Sequence, residues 1–254
     1  MFIDTHCHLY LDEFLPDSTA MILRAEKEGI TSFLMPAIDS TTYEKMVKFE
    51  ASFPKKCEVM IGLHPCSVKN DFEKELLFVE QQLAKRKFIA VGEIGLDFYW
   101  DKTFSTQQYE AFNRQINWAI TFDLPIVIHS RNSIDECIAV VEKNQKGNLR
   151  GVFHCFSGTV QQAQQIIDLG FYLGIGGVLT FKNSGLDKVM ESIDLKNIVL
   201  ETDAPYLAPV PFRGKRNESS YLKYVAEKLS KSKNVSIGQV GEITTANAKK
   251  IFRI

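Results

Sequence analysis

The sequence predicts an α/β fold: a (β/α)8 TIM barrel in a single domain spanning residues 1–254, with extra C-terminal helices. Three observations predict it. Short β-branched and apolar runs alternate along the chain with longer amphipathic stretches, the form that repeated β-α units on a parallel sheet take in sequence. About eight such runs can be counted, the number that closes a TIM barrel. The length of 254 residues suits one α/β barrel, and no linker, low-complexity segment or shift in composition divides it.

The first strand, Phe2 to Thr5, precedes a helical pattern over Ser18 to Glu28, capped at Asp17/Ser18. Ser32 to Ala37 is followed by a helix over Thr41 to Ser52, and Val59 to Leu63 by one over Glu73 to Arg86. Phe88 to Glu93 pairs with Thr106 to Thr121, where a stripe of Phe112, Ile116, Ala119 and Ile120 is accounted for by docking on a barrel. Pro125 to His129 leads to Ile134 to Glu142, Gly151 to His154 to Val160 to Leu169, and Phe171 to Ile175 to Leu186 to Ser192. Ile198 to Thr202 is the eighth strand; helices over Ser219 to Ser230 and Ile237 to Ile251 then cover the barrel's outside. Each intervening helix supplies the crossover that parallel strands require.

Composition narrows the function. Thirty Lys and Arg against thirty-one Asp and Glu leave a net charge of −1, so no broad basic surface advertises duplex nucleic acid or an anionic membrane. Five cysteines without a Cys-x-x-Cys spacing suggest neither a disulfide framework nor a thiolate zinc site. No basic segment precedes an apolar one at the N-terminus, and no run reaches transmembrane length, so a cytoplasmic protein without membrane partners is expected. No additional apolar segment asks for a partner, and a monomer is expected.

The histidines carry the chemistry. All five stand at the C-terminal end of a short apolar run: His6 and His8 after Met-Phe-Ile, His64 after Val-Met-Ile-Gly-Leu, His129 after Pro-Ile-Val-Ile, and His154 after Gly-Val-Phe. In an extended strand Asp4, His6 and His8 share a face, with the two imidazoles roughly 7 Å apart at the Cα level, close enough for one ion. A TIM barrel keeps its active site where strands end, which gathers His6, His8, His64, Glu93, His129, His154 and Asp203 at one mouth. Imidazole with carboxylate suits zinc, manganese, iron or nickel better than calcium.

Glu93 sits in Val-Gly-Glu-Ile-Gly-Leu-Asp, where a buried acid is costly unless paired or metal-bound. The competing reading is a salt bridge to Arg131. Asp97 and Tyr99, further into the loop, read as structural or substrate-shaping. In Val-Leu-Glu-Thr-Asp-Ala-Pro-Tyr, Asp203 lies at the mouth as ligand and proton-transfer group, and Glu201 a layer deeper. His64, Arg131 and the cluster of Arg213, Lys215 and Arg216 are candidates for phosphate contacts; a solvated basic loop is the alternative for the cluster.

These motifs have a familiar combination. Phe-Ile-Asp-Thr-His-Cys-His-Leu, Gly-Leu-His-Pro at 62–65, Gly-Glu-Ile-Gly-Leu-Asp at 92–97, His-Ser-Arg at 129–131, His-Cys-Phe-Ser-Gly at 154–158, Glu-Thr-Asp-Ala-Pro-Tyr-Leu at 201–207 and Arg-Gly-Lys-Arg-Asn-Glu at 213–218 together closely resemble the TatD-like metal-dependent deoxyribonucleases. Ser219 departs from the pattern, standing where that family usually has proline. The resemblance implies an amidohydrolase-like hydrolase with two divalent cations, drawn from Zn, Mg, Mn, Fe or Ni. One would be held by His6, His8 and Asp203 and the other by His129 and His154, with Glu93 between them; Glu93 and Asp203 would be the catalytic carboxylates. It further implies a 3′ to 5′ exonuclease on single-stranded DNA or another phosphodiester, cleaved by a metal-activated water. One rival keeps the site and changes the bond to a carboxylic ester, an amide or an aminoacyl-tRNA linkage. The other, a catalytically silent binding barrel, would need a ligand missing, whereas all six positions hold competent side chains.

Overall fold

Eight parallel strands and their crossover helices follow one another around a closed sheet in the computed structural model, which describes residues 1–254. In chain order these are β1 (Phe2–Asp4), α1 (Ser18–Lys27), β2 (Ile30–Met35), α2 (Ser40–Ser52), β3 (Cys57–Val59), α3 (Phe72–Lys85), β4 (Val91–Asp97) and α4 (Ser105–Thr121). Then come β5 (Ile126–Arg131), α5 (Ile134–Asn144), β6 (Gly151–Phe153), α6 (Val160–Asp168), β7 (Tyr172–Ile175), α7 (Leu186–Ser192), β8 (Ile198–Leu200), α8 (Leu222–Lys233) and α9 (Ile237–Phe252). The expected α/β barrel is the observed one.

The hydrogen-bonded ladder falls into two arcs, β1-β2-β3 and β4 through β8. Isolated bridges close both seams, Ile61 with Val91 and Cys7 with Ala204. Single backbone bonds reinforce them, from Gly92 N–H to Ile61 C=O at 2.9 Å and from Asp203 N–H to His6 C=O at 2.9 Å. Regular pairing thus lapses where Glu93, His6, His8 and Asp203 turn inward.

Apolar side chains on the two faces of the strands form two clusters. The larger lies between sheet and helices. The smaller joins Ile3, Leu34, Met60, Val127, Val152 and Val199 to Ala248, Ile251 and Phe252 of α9. By the period of two along a strand, Val127 shares its face with His129, Val152 with His154 and Val199 with Glu201. The barrel interior is therefore an apolar layer below a polar one. α9 lies across the lower end rather than along the outside: Thr245 donates to Met1 C=O, and Asn247 to Leu195 and Ile198 C=O. No helix is long and apolar enough to cross a membrane.

Besides α9, other elements differ from expectation. β4 runs over Val91–Asp97 rather than Phe88 to Glu93, with a register shift between Val91 and Ile94 that turns Glu93 toward the interior. β3 ends at Val59, short of the expected Leu63. The Asp17 side chain does not cap α1, because its carboxylate is engaged by Arg24 and Arg216.

Candidate metal centre

Glu93 is the hub of the upper layer, and its two oxygens divide the imidazoles into two sets. Oε2 lies 3.2 Å from His6 Nε2 and 3.6 Å from His8 Nε2. Oε1 lies 2.8 Å from His129 Nδ1, 3.0 Å from His154 Nε2 and 3.4 Å from His64 Nε2. Asp203 joins the first set, with Oδ1 at 3.7 Å from His6 Nε2 and 3.6 Å from His8 Nε2. Ligands about 2 Å from a tetrahedral ion stand about 3.3 Å apart, so these separations are those of donors aimed at a common cation.

Hydrogen bonding on the far side of each ring assigns the lone pairs. Tyr10 O–H donates to Pro36 C=O at 2.7 Å, so its oxygen accepts from His8 Nδ1–H at 3.0 Å and His8 Nε2 keeps its lone pair for the site. Asp97 Oδ2 accepts from His129 Nε2–H at 2.9 Å and turns Nδ1 toward Glu93. His64 is the opposite case: its Nδ1 accepts from Cys66 N–H at 3.0 Å, which leaves the proton of the neutral ring on Nε2. The His64, Glu93 and His129 ligand atoms are close enough to form a trio, but a protonated nitrogen donates and does not ligate. His64 is accordingly a hydrogen-bond donor at the rim.

Metal ions fit this set on direct grounds. Both ring nitrogens of fully buried His6 lack a hydrogen-bond partner, as do His154 Nδ1 and Glu201 Oε2. An unsatisfied buried polar group costs about 1–3 kcal/mol, and a cation between His6 and its neighbours would relieve part of that cost.

Burial and charge set the protonation states. Burial and the facing His154 imidazole lower the pKa of His6, favouring the neutral form a ligand needs. Burial opposes charge on Glu93, yet His154, His64 and His6 hold its carboxyl well below the usual carboxylate range. Burial likewise opposes charge on His154, but Glu93 and Glu201 push it well above the ordinary imidazole value. Asp203 is lowered against its own burial by the imidazoles of His8, His154 and His6 that face it.

The remaining sequence candidates divide. Arg131 makes no salt bridge with Glu93; its guanidinium carbon lies 4.0 Å from the Tyr99 ring centroid and 5.2 Å from that of Trp100. Arg216 is engaged by Asp17 at 2.7 Å and Glu13 C=O at 2.6 Å, and Arg213 stacks 3.7 Å over Phe181. Lys215 lies 6.0 Å from the Phe212 ring. None of these last three lines the cavity at the mouth, of about 710 Å³, whereas Arg131, His64 and Trp100 do. Asp4 does not continue the face of His6 and His8, because β1 ends there. Its carboxyl, pushed up to about 7 chiefly by burial, accepts from Thr202 N–H and from the hydroxyls of Thr202 and Ser219. Asp97, expected to be structural or substrate-shaping, holds a ligand candidate instead, His129; it lies four residues after Glu93 on the same strand face, a parity visible in the sequence. Nothing in the sequence marked Tyr10.

Comparison with known proteins identifies the family to which the chain belongs. A family model described as "TatD related DNase" matches residues 3–253. The "Uncharacterized metal-dependent hydrolase YabD" of Bacillus subtilis is 36% identical over 255 residues, with 100% of each chain covered. The crystal structure of the TatD homolog YjjV from Escherichia coli superposes with a TM-score of 0.94 at 29% identity, covering 100% of this chain and 98% of that one. A TatD family hydrolase from Entamoeba histolytica shares the fold at a TM-score of 0.83 and 23% identity, covering 98% of this chain and 97% of that one. The chain belongs to the TatD family of metal-dependent hydrolases.

Proposed function

We propose that this protein is a two-metal deoxyribonuclease that removes nucleotides from the 3′ end of single-stranded DNA. The observation that carries the reading is the division of donors about Glu93, with His6, His8 and Asp203 on the Oε2 side and His129 and His154 on the Oε1 side. Divalent cations held by these residues supply Lewis acidity toward a phosphoryl oxygen and a water molecule.

The chain's own groups do the rest. Asp203, ionised and turned by Oδ1 toward His6 and His8, keeps a second oxygen free to take a proton from the attacking water. His64 Nε2–H donates to a non-bridging phosphoryl oxygen, and the Arg131 fork pairs with a phosphate at the rim. Arg131 is the only Lys or Arg lining the cavity. One cation suits a strand end, whereas duplex binding leans on many phosphate contacts.

The test incubates protein loaded with manganese, magnesium or zinc with 3′-labelled single-stranded DNA, beside a carboxylic ester, an amide and an aminoacyl-tRNA. Mononucleotides released from the 3′ end, and none from Glu93→Ala, are expected. Hydrolysis of an ester with DNA left intact, or full activity in Glu93→Ala, overturns the assignment.

A further inference from the structure

We propose that Trp100 and Arg131 form a subsite for one unpaired nucleotide, the indole stacking on its base and the guanidinium holding the adjacent phosphate. The proposal rests on the phosphodiester reading above. Trp100 is 68% exposed and neighbouring Tyr99 is 53% exposed, an unusual outlay of aromatic surface to water. The segment carrying them is nonetheless fixed. Asp97 Oδ1 accepts from Tyr99 N–H at 2.9 Å and Trp100 N–H at 3.1 Å, and Phe98 N–H donates to Arg131 C=O at 2.9 Å. The same Asp97 holds His129 through its other oxygen, which ties the aromatic rim to the ligand set.

Arg131 is held as a free cation. No carboxylate pairs with its guanidinium, which instead rests on the Tyr99 ring, itself edge-on to Trp100 at 4.9 Å and 85°. The nearby Asp101 carboxylate is bridged by Lys69 at 3.0 Å, which moderates its repulsion of a phosphate. Tyr99 thus braces Arg131, and Trp100 and Arg131 face the cavity side by side with Glu93 and Asp97. An exposed indole beside an unpaired guanidinium is the chemistry that takes a nucleobase and its phosphate. Within a duplex the same stack is denied, because an internal paired base already has both faces covered by its neighbours. Base identity matters little to such a platform, since every base has a π-face.

Two measurements test the subsite. In the first, kcat/KM of the metal-loaded enzyme is compared on an oligothymidylate and on the same strand with tetrahydrofuran abasic residues over its last three positions. The wild type should prefer the base-bearing strand by about tenfold or more, the scale of one base–aromatic stack. That ratio should fall toward one in Trp100→Ala and be largely restored in Trp100→Phe. The second reads binding without turnover. In a Trp118→Phe background Trp100 is the only tryptophan, and its fluorescence should be quenched by a cleavage-resistant phosphorothioate oligothymidylate and not by its abasic counterpart. A wild-type ratio of one, an unchanged ratio in Trp100→Ala, or no base-dependent quenching overturns the subsite while leaving a nuclease standing. Absence of any DNA hydrolysis removes the nuclease reading, and quenching still decides whether the rim takes a base.

Discussion

At the level of single side chains, reactivity at the barrel mouth depends on which nitrogen of each imidazole keeps its lone pair. Asp97 sets this for His129 by accepting from Nε2–H, and its own carboxyl stays far below its ordinary range although burial opposes the charge, because His129 and the N–H groups of Trp100 and Tyr99 all donate to it. Asp97→Asn keeps the shape and removes the charge, so the preference for the Nε2–H tautomer weakens. Metal affinity should fall about 10- to 100-fold, as it does when the outer partner of a metal-ligating histidine is altered. Competition against a chromophoric chelator measures it, and an unchanged affinity would show that Asp97 only pins the loop. Much of this site was legible in the sequence, since a polar residue ending an apolar run has few places to be except a barrel mouth. Orientation was not legible. Nothing in the order of residues told that Arg216 is engaged by Asp17, or that Arg131 lies on Tyr99 rather than against Glu93.

Among the elements, β4 and β5 meet backbone against backbone. Gly95 has φ +142°, and a Cβ built there would lie 2.1 Å from the His129 carbonyl oxygen. Gly29, after α1, also has positive φ, at +82°, but a Cβ there would meet nothing within 4 Å. Gly29→Ala should therefore cost only the backbone preference, about 1 kcal/mol. Gly95→Ala must in addition push apart the strands that carry Glu93 and His129, and should cost about 3 kcal/mol or more in urea unfolding. Equal losses would mean that β5 yields freely. The same crowding explains why β4 reaches past the expected end at Glu93. Two glycines in Val-Gly-Glu-Ile-Gly-Leu-Asp look like the end of a strand, whereas here Gly92 makes room for the Val127 side chain and Gly95 for the His129 backbone, and the strand runs on to Asp97. Helices were easier, because a stripe of 3.6-residue period survives small errors at its ends; α7 occupies the expected Leu186–Ser192.

For the whole molecule, the donors belong to segments that only the closed barrel brings together: His6 and His8 follow β1, Glu93 and His129 lie on β4 and β5, His154 follows β6, and Asp203 follows β8. Both incomplete seams of the sheet open beside them. Cations seated among these residues would bind the folded chain and not the unfolded one, so their binding free energy adds to stability by mass action. At a free concentration one hundred times Kd that addition is about 2.7 kcal/mol. For a chain of this size it raises Tm by about 5 to 10 °C. Scanning calorimetry with a chelator and then with zinc or manganese should show that rise in the wild type and little of it in Glu93→Ala, which loses the carboxylate facing both imidazole sets. The comparison must be made within each variant, since removing Glu93 also leaves buried imidazoles without their counter-charge and shifts the chelated baseline. A wild-type Tm indifferent to every divalent cation tried would mean that the imidazoles around Glu93 are a structural cluster, and the hydrolytic assignment would have to be abandoned with it.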